Sequence, residues 1–261
     1  MSGISETSIS HKGANYRIWS AGTGPKLGVL GGFGGWLQWT PFLASLASTR
    51  TVVVPSLPGF PGGGGRAHVE LDTQLDWLLC VRELLNACEL EDEDLAGISI
   101  GASLAADVTA VWPHKTNRLV LVSPLGICNG DHPIADPWAV KPMGQVSLLC
   151  SNPMAMEAHQ KKPEDEDELE WEISQIRANE AAARLLWPTG DTGLSKRIGR
   201  IFCDTMLIWG DEDQLVPPCH RELYRAMPNA NVSEVVLPGA GHQADFDRPD
   251  ELASVINEFL G

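Results

Sequence analysis

No segment of the chain approaches the roughly 20 consecutive apolar residues that cross a bilayer, so the sequence predicts no membrane span. Positive charge is scarce: 19 Lys and Arg stand against 34 Asp and Glu, for a formal charge of −15 at pH 7. Surfaces that hold nucleic acid or an anionic membrane by charge are basic, so neither is an expected partner. The first seven residues, Met1 to Thr7, lack both a basic start and an apolar core and do not read as a secretory leader. The six cysteines, Cys80, Cys88, Cys128, Cys150, Cys203 and Cys219, form no C-x-x-C pair and no cluster with histidine. They are expected to be reduced thiols in a cytoplasmic protein, not disulfides or zinc ligands. No internal repeat is visible.

What remains is an ordinary globular composition, 43% hydrophobic and 20% charged over 261 residues. That length suits one large α/β domain, or one domain carrying an insertion. Two alternating runs between Thr7 and Ser20, split by Lys12-Gly13-Ala14-Asn15, predict an opening hairpin. Short apolar runs follow at Lys26–Leu30, Thr51–Val54, the segment leading to Ser99, Leu119–Val122, Thr205–Trp209 and Val232–Leu237. Between them lie helical patterns: one opened by Thr40 and Pro41, one carrying Leu71, Leu75, Leu78, Leu79, Leu84, Leu85 and Cys88, and one from Ser99 to Trp112. Near-continuous apolar strands alternating with helices predict a parallel sheet covered on both faces. The four glycines Gly62 to Gly65 predict a flexible loop, Cys219 to Met227 a helix, and Pro249 onward a closing helix.

From about Leu125 to Cys203 the rhythm changes. The segment holds Pro133, Pro137, Pro142 and Pro153, a charge run from Lys161 to Glu170 and helix-like pieces around Trp171 to Trp187, with no clear strand. The chain therefore divides into a core from 1 to 124, a mostly helical insertion from 125 to 203, and a second part of the core from 204 to 261.

Gly97-Ile98-Ser99-Ile100-Gly101 stands where a buried strand passes into a helix, the position of a nucleophile elbow. A serine hydroxyl needs a base, and the base needs a partner that fixes its tautomer. Asp213 and His242 follow the ends of later strands, in the order serine, acid, histidine, on the sheet edge where ligands of parallel sheets gather. Asp211 and Glu212 crowd the same loop, and Asp131 or Asp136 offers an alternative acid after the preceding strand. Oxyanion donors would be the N–H groups of Ile100 and, from the loop Gly31 to Gly35, Phe33. That loop does not read as a phosphate cradle: it lacks the Gly-x-Gly-x-x-Gly phase and a following Lys-Ser/Thr.

These residues resemble the α/β-hydrolase superfamily, in its serine-hydrolase branch with a lid after the sixth strand. Five signatures carry the likeness in order: Leu30-Gly31-Gly32-Phe33-Gly34, Pro58-Gly59-Phe60, the elbow, Gly210-Asp211-Glu212-Asp213 with Val216-Pro217, and Gly241-His242 followed by Pro249. The resemblance implies a mostly parallel eight-stranded sheet flanked by helices, a helical lid at 125–203, and two-step acyl transfer by Ser99, His242 and Asp213. It departs from the family at Gly31-Gly32, where members carry His-Gly, so a side chain that braces the oxyanion loop is missing; Ser56 stands where many have Asp.

The expected activity is hydrolysis of a small, largely apolar ester or lactone, without metal or organic cofactor; oligomeric state is undetermined. Gly32, Trp36, Trp138 and Trp187 are the expected pocket residues, with Trp39, Met143, Met154, Met156 and Trp171 as further apolar candidates. Lidded relatives with the same triad cleave carbon–carbon bonds in ring-fission products, for which Arg177 or Arg184 would hold a carboxylate. A ligand-binding protein without turnover is a third possibility, against which an intact triad argues.

Overall fold

A computed structural model describes residues 3–261 apart from Asp165, Ala226, Pro228 and Asn229, and the side chains of Pro142 and Met143 also lie outside the described residues. The leader reading at Met1 and Ser2 and the pocket candidacy of Met143 therefore fall outside it. Eight strands form one sheet: β1 (Ser5–His11), β2 (Ala14–Ala21), β3 (Lys26–Leu30), β4 (Thr51–Pro55), β5 (Asp94–Ile98), β6 (Arg118–Val122), β7 (Asp204–Gly210) and β8 (Val232–Leu237). Their order is β1-β2-β4-β3-β5-β6-β7-β8. The hairpin β1–β2 runs antiparallel, pairing Ile9 with Tyr16 and, across to β4, Trp19 with Val54. From β4 to β8 every pairing is parallel.

Period-two alternation splits the strand side chains between two apolar layers. Leu95, Leu119 and Leu121 face one layer with α2 (Gln74–Ala87) and α3 (Ile100–Val111). Ala96, Ile98, Val120 and Val122 face the other with α1 (Pro41–Leu46) and α9 (Pro249–Leu260). Thr40 caps α1 by accepting the Leu43 N–H, with Pro41 at the first helical position. Between β6 and β7 the chain forms α4 (Pro142–Leu149), α5 (Pro153–His159) and α6 (Glu168–Leu186), with no strand among the described residues. Leu149, Met156, Ala182 and Leu186 of this insertion share the α2–α3 layer, so it packs as an extension of the core.

Three local expectations are corrected. Helix α2 starts at Gln74, not Leu71, because Thr73 and Asp76 close a reciprocal capping box there; Leu75 and Leu79 then point to solvent. The pattern from Cys219 breaks into a 3₁₀ turn, Pro218–His220, and the short α7 (Arg221–Arg225). The glycines at 62–65 are not a free loop: Arg17 N–H donates to Gly62 O at 2.8 Å and Gly59 N–H to Gly63 O at 2.7 Å. A Cβ on Gly63 would lie 1.7 Å from Leu57 O.

Packing is close where α3 crosses the sheet. A Cβ on Gly101 would lie 2.3 Å from Leu30 O, and one on Gly97 2.4 Å from Gly101 O. Alanine normally strengthens a helix over glycine by about 1 kcal/mol, but here the backbone contact must open. Gly101→Ala is expected to destabilise the protein, by about 1–3 kcal/mol if the cost is that of ordinary overpacking. Thermal melting checks the sign: a Tm at or above that of wild type would refute the close approach.

Candidate active site

Strand β5 ends at Ile98 and α3 begins at Ile100, so Ser99 makes the whole turn alone. Its φ of 53° and ψ of −116° are a strained combination for a residue with a Cβ, worth about 1–3 kcal/mol. The turn is held from three directions. Ser99 N–H donates to Val122 O at 2.8 Å, Ser99 O accepts from Ser103 N–H at 3.1 Å, and the Ser103 hydroxyl takes the Leu125 N–H at 2.8 Å. Gly97 and Gly101 let strand and helix close around it.

Asp213 follows β7, where Gly210 admits the chain past β8: a Cβ there would meet Ala240 O at 2.2 Å. One carboxylate oxygen accepts the Leu215 and Val216 N–H groups at 3.0 and 2.8 Å. The other lies 2.9 Å from His242 Nδ1. A carboxylate can only accept, so Nδ1 carries the proton and Nε2 is left to accept. That nitrogen is 2.7 Å from Ser99 Oγ. Hydroxyl, imidazole and carboxylate thus form one hydrogen-bonded chain across three loops, with Ser99 and His242 fully buried and Asp213 4% exposed. Such a chain can draw the serine proton onto the imidazole as the oxygen attacks.

Residues 29–255 match the family model of the alpha/beta hydrolase family. The chain belongs to this family. Among curated proteins it is 26% identical over 198 residues to the 2-hydroxy-6-oxononadienedioate/2-hydroxy-6-oxononatrienedioate hydrolase of Comamonas testosteroni, covering 69% of this chain and 66% of that protein. The chain thus spans just under two thirds of that relative. Among solved structures it superposes on a membrane phospholipase A with a TM-score of 0.78 at 21% identity, covering 99% of this chain and 86% of the other. It also superposes on the 2-hydroxy-6-oxo-6-phenylhexa-2,4-dienoate hydrolase of Rhodococcus sp. with a TM-score of 0.77 at 19% identity, covering 100% and 99%. At these identities the two superpositions bear on fold alone.

In this family member the loop after β3 bends at Gly34 and Gly35, whose φ values are 84° and 68°, and closes with Gly35 N–H donating to Gly32 O at 3.0 Å. The Ile100 N–H heads α3 and has no acceptor within its own helix. A Cβ on Gly32 would lie 2.4 Å from Gln243 Oε1, so a side chain there would have to displace that amide. The loop is held from the core side. Arg17, stacked 3.6 Å over the Trp19 ring, donates to the Trp36 and Pro61 carbonyls at 2.8 and 3.1 Å. The Trp36 indole N–H donates to Asp245 at 2.9 Å.

The expected pocket residues separate. Trp138 lies with its ring 5.8 Å from that of Phe33, on the insertion side of the loop, and its indole donates to Asn179. Trp36 is buried against Gly31 and Phe42 as part of the α1–α9 layer, a buttress of the loop. Trp187 is 60% exposed at the end of α6 and donates to Asp136. Met154 is exposed, whereas Met156 is buried with its sulfur 3.7 Å from Gln243 Nε2. Asp136 serves Trp138 N–H and Trp187, and it is Asp213 that meets His242. Among the described residues no group of three or more His, Cys, Asp or Glu is placed to hold a metal ion, and no helix is long and apolar enough to cross a membrane.

Sequence reasoning missed Arg17, Gln243 and Asp245. The dense acidic stretch around α8 (Ala244–Asp247), so near His242, was the available signal. Burial pushes the Asp245 carboxyl up to about 7, against the opposing Trp36 hydrogen bond. In the unfolded chain it ionises near pH 4. The folded state therefore binds the extra proton between about pH 4 and 7, and stability declines as pH rises through that window. Asp245→Asn keeps the shape and an acceptor for Trp36 but cannot ionise. Its Tm relative to wild type is expected to climb from pH 5 to pH 8; melting curves with a constant offset would contradict the assignment.

Proposed function

We propose that the protein is a serine hydrolase that cleaves a small, largely apolar carboxylic ester or lactone through an acyl-enzyme. The single observation supporting this is the hydrogen-bonded chain Asp213–His242–Ser99 at the elbow. Ser99 Oγ adds to the substrate carbonyl while His242 Nε2 takes its proton, and Asp213 steadies the imidazolium. The oxyanion faces the N–H groups of Ile100 and Phe33. As the tetrahedral centre collapses, the bond to the leaving oxygen breaks and His242 returns the proton to it. Water, deprotonated by the same imidazole, then releases the acid and restores Ser99. No cofactor enters these steps.

With Ser99 and His242 fully buried, a substrate reaches them only when something covering them moves. The segment 125–203 is proposed as that cover, with Trp138 beside Phe33 and Met156 beside Gln243 shaping an apolar acyl site.

Cleavage of a carbon–carbon bond in a ring-fission product is the second reading, favoured by the activity for which the Comamonas hydrolase is named. The arginines considered for its carboxylate argue the other way. Arg184 is engaged with Asp72 and Glu180. Arg177 lines a groove with Ser174 and the glycines at 62–65.

A panel of aryl esters of graded chain length, alongside a ring-fission dienol diketone, separates the two. Turnover of short esters and none of the diketone is the expected result; the reverse would establish the second reading. In either assay Ser99→Ala is expected to lower kcat by about 10³-fold or more, the size seen when a triad nucleophile is removed. A drop under about tenfold would mean that another residue is the nucleophile.

A further inference from the structure

Within the serine-hydrolase reading, on which this inference rests, we propose that His159 of the insertion is a positioning residue for the oxyanion loop. Its ring fastens the Leu37 amide, so the Phe33 N–H is aimed at the reacting carbonyl only while α5 is seated on the core.

The loop needs such fastening. Glycines at 31, 32, 34 and 35 give it little stiffness of its own. Arg17 and Asp245 hold Trp36 from the core. The next residue is held from the insertion: Leu37 N–H donates to His159 Nε2 at 3.0 Å. His159 is the last residue of α5, buried, with its ring 5.0 Å from that of Phe246 in α8. It therefore sits between the oxyanion loop and the segment that carries His242.

The platform beneath it is tied to that segment by further bonds. The Asp247 carboxylate accepts the N–H groups of Ser151 and Asn152, at the α4–α5 turn, at 3.0 and 2.9 Å. It also accepts Gly241 N–H, immediately before His242, at 2.7 Å. Gln243 N–H donates to Leu149 O at 2.7 Å. The α4–α5 turn is thus bolted to the histidine loop, and His159 extends that attachment across to the oxyanion loop. A ring nitrogen can accept only when neutral, and burial holds His159 down at about 4. The bond therefore persists through neutral pH. Base and oxyanion donors are registered against one another through the insertion, so seating the insertion completes the site.

The test uses a fluorophosphonate as the probe of Ser99. Attack by Ser99 Oγ forms an O–P bond and breaks the P–F bond; fluoride leaves and His242 takes the proton. Wild type must be labelled at Ser99; no labelling there overturns the serine-hydrolase reading itself, whereas the His159 proposal is judged by comparing variants with a wild type that does label. His159→Phe keeps the ring and loses the acceptor. Its maximal labelling rate is expected to fall roughly 10- to 100-fold, less than or comparable to outright loss of an oxyanion donor, with the half-saturating probe concentration little changed. His159→Gln, whose Oε1 can accept from Leu37, is expected to recover most of that rate. Labelling by His159→Phe at the wild-type rate, or equal slowness of both variants, would overturn the proposal. Should His159→Phe not fold, hydrogen exchange of the Leu37 amide in wild type decides. Protection is expected, and exchange at the rate of a free amide would overturn it.

Discussion

The site depends on a steric constraint before any electrostatic one: α3 must start almost in contact with β3 and β5. Gly101 against Leu30 O and Gly97 against Gly101 O leave no space for a methyl group. Only that proximity forces the chain through the elbow in one residue and leaves Ser99 at φ 53°. An isolated peptide would relax such a turn; here the parallel ladder on both sides of β5 does not yield. The strained turn carries the hydroxyl at the carboxyl edge of the sheet, with the Ile100 N–H at the head of the helix beside it.

The rest of the carboxyl edge is arranged around that point. Loops after β3, β5, β7 and β8 each contribute one part, and each is tied down by backbone groups accepting or donating to a neighbour. Asp213 is oriented by two N–H groups, so its second oxygen has one direction in which to meet His242. The glycine loop after β3, soft by composition, borrows rigidity from Arg17, Asp245 and His159, which come from β2, α8 and the insertion. Function here is a matter of pre-set geometry. The sheet supplies the rigidity, and long-range polar contacts transmit it to the glycine-rich segments.

The core was readable because its signals are local. Strand runs such as Thr51–Val54 and Leu119–Val122, the Thr40–Pro41 cap and the glycines flanking Ser99 each state their own conformation. The convergence of Ser99, Asp213 and His242 followed from strand ends sharing one edge. What was not readable depends on contacts far apart in sequence. Nothing near Arg17 indicates that it will brace Trp36, or that His159, some 120 residues on, will hold Leu37. Trp36 and Trp187 looked alike as pocket aromatics, yet one is buried behind the loop and the other faces solvent. Gly62 to Gly65 looked flexible because glycine permits motion, but here it permits close approach to Tyr16, Arg17 and Leu57. Helix α2 began late because a capping box outweighed the apolar phase at Leu71.

The central claim is that Ser99 and His242 act as one unit. Kinetics of Ser99→Ala, His242→Ala and the double variant on a single aryl ester test it most directly. Members of a unit lose activity once, so the account predicts that the double variant is no slower than the slower single one. Losses that multiply, the double variant falling by the product of the two single effects, would show independent residues and contradict it.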